Sequence, residues 1–127
     1  MTRFALVCLG GALGSGARYL VSTAALRLLG PAFAWGTLTV NLVGSFLIVL
    51  IMHVGLTTTL VSPELRLFLT TGIMGGLTTY STFSYETLRY VQDGTPLLAA
   101  FNVFVTLVGC FLASVLGLVL GRVLTGP

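Results

Sequence analysis

Four apolar stretches fill almost the whole chain and leave only short polar links between them. A transmembrane helix needs about 20 apolar residues, and the stretches lie at about residues 4–29, 35–56, 64–91 and 97–124. The links carry residues that end helices and form turns, such as Gly30-Pro31 and Asp93-Gly94. We therefore predict one all-α integral membrane domain over residues 1–127, with four transmembrane helices.

Charged residues are too few for a soluble domain. They make up 7% of the 127 residues, against about 25% in soluble proteins. The six basic residues are scattered single arginines, so no basic patch points to nucleic acid. Catalytic triads, paired carboxylates and phosphate loops are missing from the sequence. The sequence predicts a multi-pass protein of the cell inner (plasma) membrane that is not an enzyme.

The third apolar segment contains a stretch that is unusual for a membrane helix. Residues 71–84 include three glycines, four threonines and two serines. Glycine is costly inside a helix, and hydroxyl side chains compete for backbone hydrogen bonds. We predict a helix broken near Gly75-Gly76, whose freed carbonyls can hold a cation. A tight helix contact from Gly72 to Gly76 is the equally weighted alternative.

The arginines give almost no orientation bias. Three lie on the side of the chain termini and two on the other: Arg3, Arg66 and Arg122 against Arg27 and Arg89. Because an excess of Lys and Arg sets orientation in a membrane, a chain with nearly none can insert both ways. We favour an antiparallel, dual-topology homodimer over a weak bias that still fixes one orientation.

Two polar residues lie inside the predicted spans, where polar side chains are costly and therefore indicate a structural or functional role. Arg18 follows a run of small residues in the first span. It either attracts an anion at a vestibule, or it reaches the interface or pairs with Glu86. Asn41 in the second span offers two donors and one acceptor. Its amide either meets an anion or forms an interhelical bond of about 1 kcal/mol.

The fourth span carries a polar stripe. Asn102, Thr106, Cys110 and Ser114 are spaced four residues apart, which places them on one helix face. This face either provides binding steps for a small ion or makes ordinary interhelical contacts. The sequence alone favours the second alternative.

Together, the three polar regions resemble the fluoride-specific ion channel family (Fluc or CrcB) along nearly the whole chain. The resemblance is carried by three motifs: Gly10-Gly11-x-x-Gly14-x-x-x-Arg18-Tyr19, Gly36-Thr37-Leu38-x-Val40-Asn41-x-x-Gly44-x-Phe46, and Gly72-x-x-Gly75-Gly76-Leu77-Thr78-Thr79-Tyr80-Ser81-Thr82-Phe83-Ser84-x-Glu86.

The resemblance implies an antiparallel homodimer with two fluoride pathways along the subunit interface. It implies that the carbonyls of Gly75 and Thr78 from both subunits bind a structural sodium ion, which is not transported. Asn41 would donate to fluoride, and the ring edges of Tyr80 and Phe83 would face the ion. The remaining members of the implied site are Ser81 and Thr82 beside the aromatic residues, Thr106, Cys110 and Ser114 on the fourth span, Arg18 at the vestibule, and Glu86 in an accessory role.

Two residues depart from the family pattern. Tyr80 stands where phenylalanine is usual, and its hydroxyl adds a donor. Cys110 replaces a small or hydroxylated residue and donates more weakly. Both changes bear on conduction more than on the fold.

The resemblance implies passive export of fluoride down its gradient, which protects the cell from fluoride accumulated as the acid. A small dual-topology multidrug antiporter is the first alternative, but such transporters need a glutamate in the first span, where this chain has Arg18. A non-conducting membrane assembly subunit is the second alternative.

Overall fold

The computed structural model describes residues 1–126, and this part of the chain is all-helical with no strand. Three of its helices are long and apolar enough to cross a membrane, whereas residues 63–92 form shorter pieces. The predicted all-α membrane fold is thereby confirmed. In chain order the elements are α1 (Thr2–Leu29), α2 (Trp35–Thr57), α3 (Pro63–Leu67), a π-helical segment (Phe68–Met74), α4 (Gly75–Leu77), α5 (Tyr80–Gln92) and α6 (Pro96–Thr125).

Local capping residues set where several helices begin and end. Helix α1 ends at Gly30, which takes a φ of 79° in the left-handed region that favours glycine. Helix α3 begins at Pro63, and the hydroxyl of Ser62 accepts a hydrogen bond from the Leu65 amide at 3.2 Å. At the end of α2, Arg66 Nη1 donates to the Gly55 carbonyl at 2.6 Å. These hydrogen bonds and the glycine cap fix the conformation of the short links between the helices.

The third segment is broken as predicted, and the break lies at Thr78 and Thr79, just after the Gly75-Gly76 pair near which it was expected. Both glycines belong to α4, and Gly75 has helical dihedral angles (φ −62°, ψ −37°). Thr78 and Thr79 are extended, with ψ angles of 156° and 117°. Thr79 caps α5, because its hydroxyl accepts from the Thr82 amide at 3.2 Å. The break therefore lies after the glycines, because Thr79 is the residue that caps and starts α5.

The chain before the break is wound more loosely than an α-helix. Phe68–Met74 is π-helical, and such turns are rare and frequently occur at functional sites. The hydroxyl of Thr70 donates to the Arg66 carbonyl at 2.8 Å within this region. No local sequence pattern predicted this π-helical segment.

Helix α1 contacts the first half of the third segment backbone to backbone. A Cβ atom added to Gly72 would lie 2.9 Å from the Cα of Gly10, and one added to Gly14 would collide with the Ile73 carbonyl. A Cβ on Gly76 would meet the backbone of α1. The tight contact considered as an alternative to a broken helix is therefore present as well: the glycines make the contact, and the break follows them.

The chain buries only a small core. Its buried apolar cluster consists of Val40, Met74 and Leu77, while large side chains such as Phe104 and Phe111 are 66% and 70% exposed. Exposed apolar surface of this kind is stable in lipid or against another subunit. The exposed apolar surface therefore indicates a protein that is surrounded by lipid or by another subunit.

The α1 contact predicts a sharp difference between two glycines on the same helix. We expect Gly14→Ala to lower the free energy of unfolding by about 1–3 kcal/mol or more, since its methyl group would meet the rigid Ile73 backbone. Gly11→Ala is the matched control, because a Cβ there meets nothing within 4 Å. Thermal unfolding of the purified variants in detergent measures the difference, and equal midpoints would contradict the contact.

Candidate functional site

A groove of about 310 Å³ lies beside the break in the third segment. It brings together residues from α2, the break, α5 and α6, which are far apart in sequence. Six residues of the sequence-predicted site line it: Asn41, Thr78, Tyr80, Phe83, Thr106 and Cys110. The other lining residues are Gly44, Ser45, Ile48, Thr79 and Leu107.

Asn41 bridges the break with two hydrogen bonds. Its Nδ2 donates to the Thr79 carbonyl at 3.0 Å, and its Oδ1 accepts from the Thr79 amide at 2.8 Å. Both residues are buried, at 8% and 7% exposure. Backbone groups at membrane depth have no water to bond to, so the side chain of Asn41 takes the place of a helical partner for Thr79.

The break changes the partners of nearby carbonyl groups. In a continuous helix the Thr79 amide would donate to the Gly75 carbonyl, but here it donates to Asn41. The Thr78 carbonyl accepts from Arg18 Nη1 at 3.3 Å. The two carbonyls predicted as cation ligands therefore lie on either side of the α4 end, and one already faces a positive side chain.

The two aromatic residues of the site differ in exposure. Phe83 is 6% exposed, whereas Tyr80, at the start of α5, is 76% exposed. Their ring centroids are 5.7 Å apart and their planes are tilted by 57°. Since the edge of an aromatic ring is positive and its face negative, rings in this position can present a positive edge to an anion.

The polar stripe of α6 serves two purposes. Thr106 and Cys110 line the groove. Ser114 donates to the Ser45 carbonyl at 3.3 Å, and Asn102 donates to the Thr87 hydroxyl at 2.8 Å. The middle of the stripe thus faces the groove, and its ends make the interhelical bonds considered in the sequence analysis.

Arg18 and Glu86 do not pair with each other. Arg18 donates to the Thr78 carbonyl, whereas Glu86 Oε1 accepts from the Thr37 hydroxyl at 2.8 Å. The second carboxylate oxygen of Glu86 is buried and has no hydrogen-bond partner within residues 1–126. The Arg18–Glu86 pair considered as an alternative is therefore wrong.

Ser81 and Thr82 lie on the exposed part of α5 and do not line the groove. Two further residues that hold the site, Thr37 and Thr79, were not among the predicted site residues. The spacing of Thr37, four residues before Asn41, places both on one face of α2. A hydroxyl at Thr79 three residues before Thr82 matches a helix cap. Both signals were present in the sequence.

Long apolar helices around a broken, polar segment define a multi-pass cell membrane protein. Residues 5–118 match the family described as "CrcB-like protein, Camphor Resistance (CrcB)", and the chain belongs to this family.

Relatives with similar sequences carry the name "Fluoride-specific ion channel FluC". The protein of Anaeromyxobacter sp. (strain K) is 55% identical over 126 residues, which cover 99% of this chain and 100% of the relative. The proteins of Geobacter sulfurreducens and Sorangium cellulosum are 47% and 48% identical over 122 residues, each covering 96% of this chain and 98% and 96% of the relative.

The Thr37–Glu86 bond predicts a specific loss of stability. Thr37→Val keeps the shape of the side chain but removes the donor to a half-buried carboxylate, which costs about 1–3 kcal/mol. Thr39→Val is the matched control, since Thr39 is exposed on the same helix. A double-mutant cycle with Glu86→Met, which has a similar shape and no acceptor oxygen, measures the coupling in thermal unfolding. A coupling energy of zero would contradict the bond.

Proposed function

We propose that the protein is a passive, fluoride-selective channel that exports fluoride from the cytoplasm and so reduces its toxicity. The observation that carries this proposal is the groove, where Asn41, Thr106 and the ring of Phe83 converge. The names of the relatives support the same ion. Such a channel needs no catalytic residue.

The chemistry of the groove suits a small anion. Fluoride holds its water tightly, so a pathway has to replace that water with donors and positive ring edges. The groove offers an amide at Asn41, a hydroxyl at Thr106, the weaker thiol donor of Cys110, and the rings of Tyr80 and Phe83. We propose that Ser114 and the exposed Ser81 and Thr82 extend this donor set beyond the groove, and that Arg18 attracts the anion at the aqueous vestibule.

A second, antiparallel copy of the chain would complete the pathway. The groove is open along the subunit surface, and Tyr80 at its edge is mostly exposed. A partner subunit would cover this surface and supply the opposite wall. The even distribution of arginines supports insertion in both orientations.

A structural sodium ion fits the same arrangement. Unwound carbonyls at broken membrane helices coordinate sodium, and the Gly75 carbonyl has lost its helical donor to Asn41. One chain supplies the carbonyls of Gly75 and Thr78, and its antiparallel twin would supply the same pair. The ion would supply positive charge between the subunits. The Thr78 carbonyl already accepts from Arg18 Nη1, so sodium would bind the second lone pair of that oxygen.

Fluoride efflux from liposomes tests the proposal directly. We expect purified protein to release fluoride and to retain chloride, because fluoride is the smaller anion and accepts stronger hydrogen bonds from these donors. Protein-free liposomes are the control. Absence of fluoride release by an assembled dimer would favour a non-conducting assembly subunit, and uptake of an organic cation driven by a proton gradient would favour a multidrug antiporter.

Sodium dependence of unfolding tests the proposed ion. A ligand that binds only the folded state adds about 2.7 kcal/mol of stability at 100 times its dissociation constant. We therefore expect the unfolding midpoint of the dimer to rise by several degrees when N-methylglucamine is replaced by sodium at equal ionic strength. Identical midpoints across a titration of sodium would contradict a structural sodium site.

A further inference from the structure

We propose that Asn41 is a positioning residue that keeps the third helix open, and that it links the groove to the carbonyls before the break. Where this concerns ion conduction, it rests on the proposed function. The inference starts from the paired bonds between the Asn41 amide and the backbone of Thr79.

The helix stops at the residue that Asn41 binds. The Thr78 amide still donates to the Met74 carbonyl at 3.0 Å, as in an α-helix. One residue later, the Thr79 amide donates to Asn41 Oδ1 instead of to Gly75. The change of partner therefore coincides with the contact from α2, which lies 38 residues away in sequence.

The pairing is hard to replace. Asn41 and Thr79 are buried, and an unbonded amide or carbonyl there would carry the full cost of desolvation. Without the asparagine, the amide and carbonyl of Thr79 have no side-chain partner in the extended break. The backbone there would become distorted and open to exchange, and the distortion would displace the carbonyls beside the break.

The same pairing limits what Asn41 can offer an anion. A primary amide has two N–H donors and one acceptor oxygen. The oxygen and one N–H bond Thr79, so one N–H remains for the groove that Asn41 lines. Fluoride would meet a donor whose direction is fixed by the break, and disturbance of the break would turn that donor away.

Arg18 completes this arrangement on the neighbouring residue. It donates to the Thr78 carbonyl at 3.3 Å, while Asn41 takes both backbone groups of Thr79. Side chains of α1 and α2 thus hold two consecutive extended residues. The two predicted ligand carbonyls are affected differently. The Gly75 carbonyl has lost the Thr79 amide, its helical donor, to Asn41, whereas Arg18 contacts only the Thr78 carbonyl.

Hydrogen exchange at the Thr79 amide tests the proposal without any flux measurement. In the unmodified protein we expect this amide to exchange slowly, although it lies outside a helix. In Asn41→Leu, which lacks both bonding groups, we expect exchange to be faster by about tenfold or more. In Asn41→Asp the acceptor remains but the donor is lost, so an intermediate rate is expected.

Thr106→Val is the matched control, because Thr106 lines the same groove and is equally buried. We expect it to leave exchange at Thr79 unchanged even where it reduces fluoride flux. Fast exchange at Thr79 in the unmodified protein overturns the proposal. This measurement needs no variant, so it tests the proposal even if the Asn41 variants do not fold. Wild-type exchange in the folded Asn41 variants, or equal acceleration in Thr106→Val, overturns it as well. Because exchange does not depend on the transported ion, these outcomes are distinct from failure of the efflux test.

Discussion

The structure depends on one constraint: backbone groups inside a bilayer have to be bonded by the protein itself. A break at Thr78 and Thr79 violates helical bonding, and the chain restores it with side chains from two other helices. Asn41 bonds the amide and carbonyl of Thr79, and Arg18 bonds the Thr78 carbonyl. The hydroxyl of Thr79 then starts α5. Each of these bonds also shapes the groove, so the residues that stabilise the break are close to those that can meet an ion.

Much of the fold follows from patterns that are local in sequence. The apolar stretches predicted the helices, and the glycines of α1 and the third segment predicted the close contact that the structure contains. The exact position of the break was only partly predictable in the same way, because the Thr79 cap is a local signal but the pairing with Asn41 is not. Glycine propensity pointed to Gly75-Gly76, whereas the break is set by a capping threonine and by a pairing with Asn41 38 residues away. The π-helical turn before it likewise has no local signature.

The candidate site was predictable in its members but only partly in its contacts. Asn41, Phe83, Thr106 and Cys110 do converge on one groove. The resemblance treated Asn41 as an anion donor, but its oxygen and one of its N–H groups are bonded to the backbone. Such double use cannot be inferred from residue type, because it depends on where a side chain on α2 meets an extended residue.

The glycine contact described for α1 also bears on how the molecule can move. Helix α1 and the first half of the third segment meet with almost no side chains between them, so neither can slide without backbone collision. They form one stiff unit, whereas α5 is attached to it only through the two extended threonines. A movement of α5 relative to this unit would have to bend the chain at Thr78 and Thr79. It would also have to break the bonds that join α5 to α2 and α6, Glu86 to Thr37 and Thr87 to Asn102.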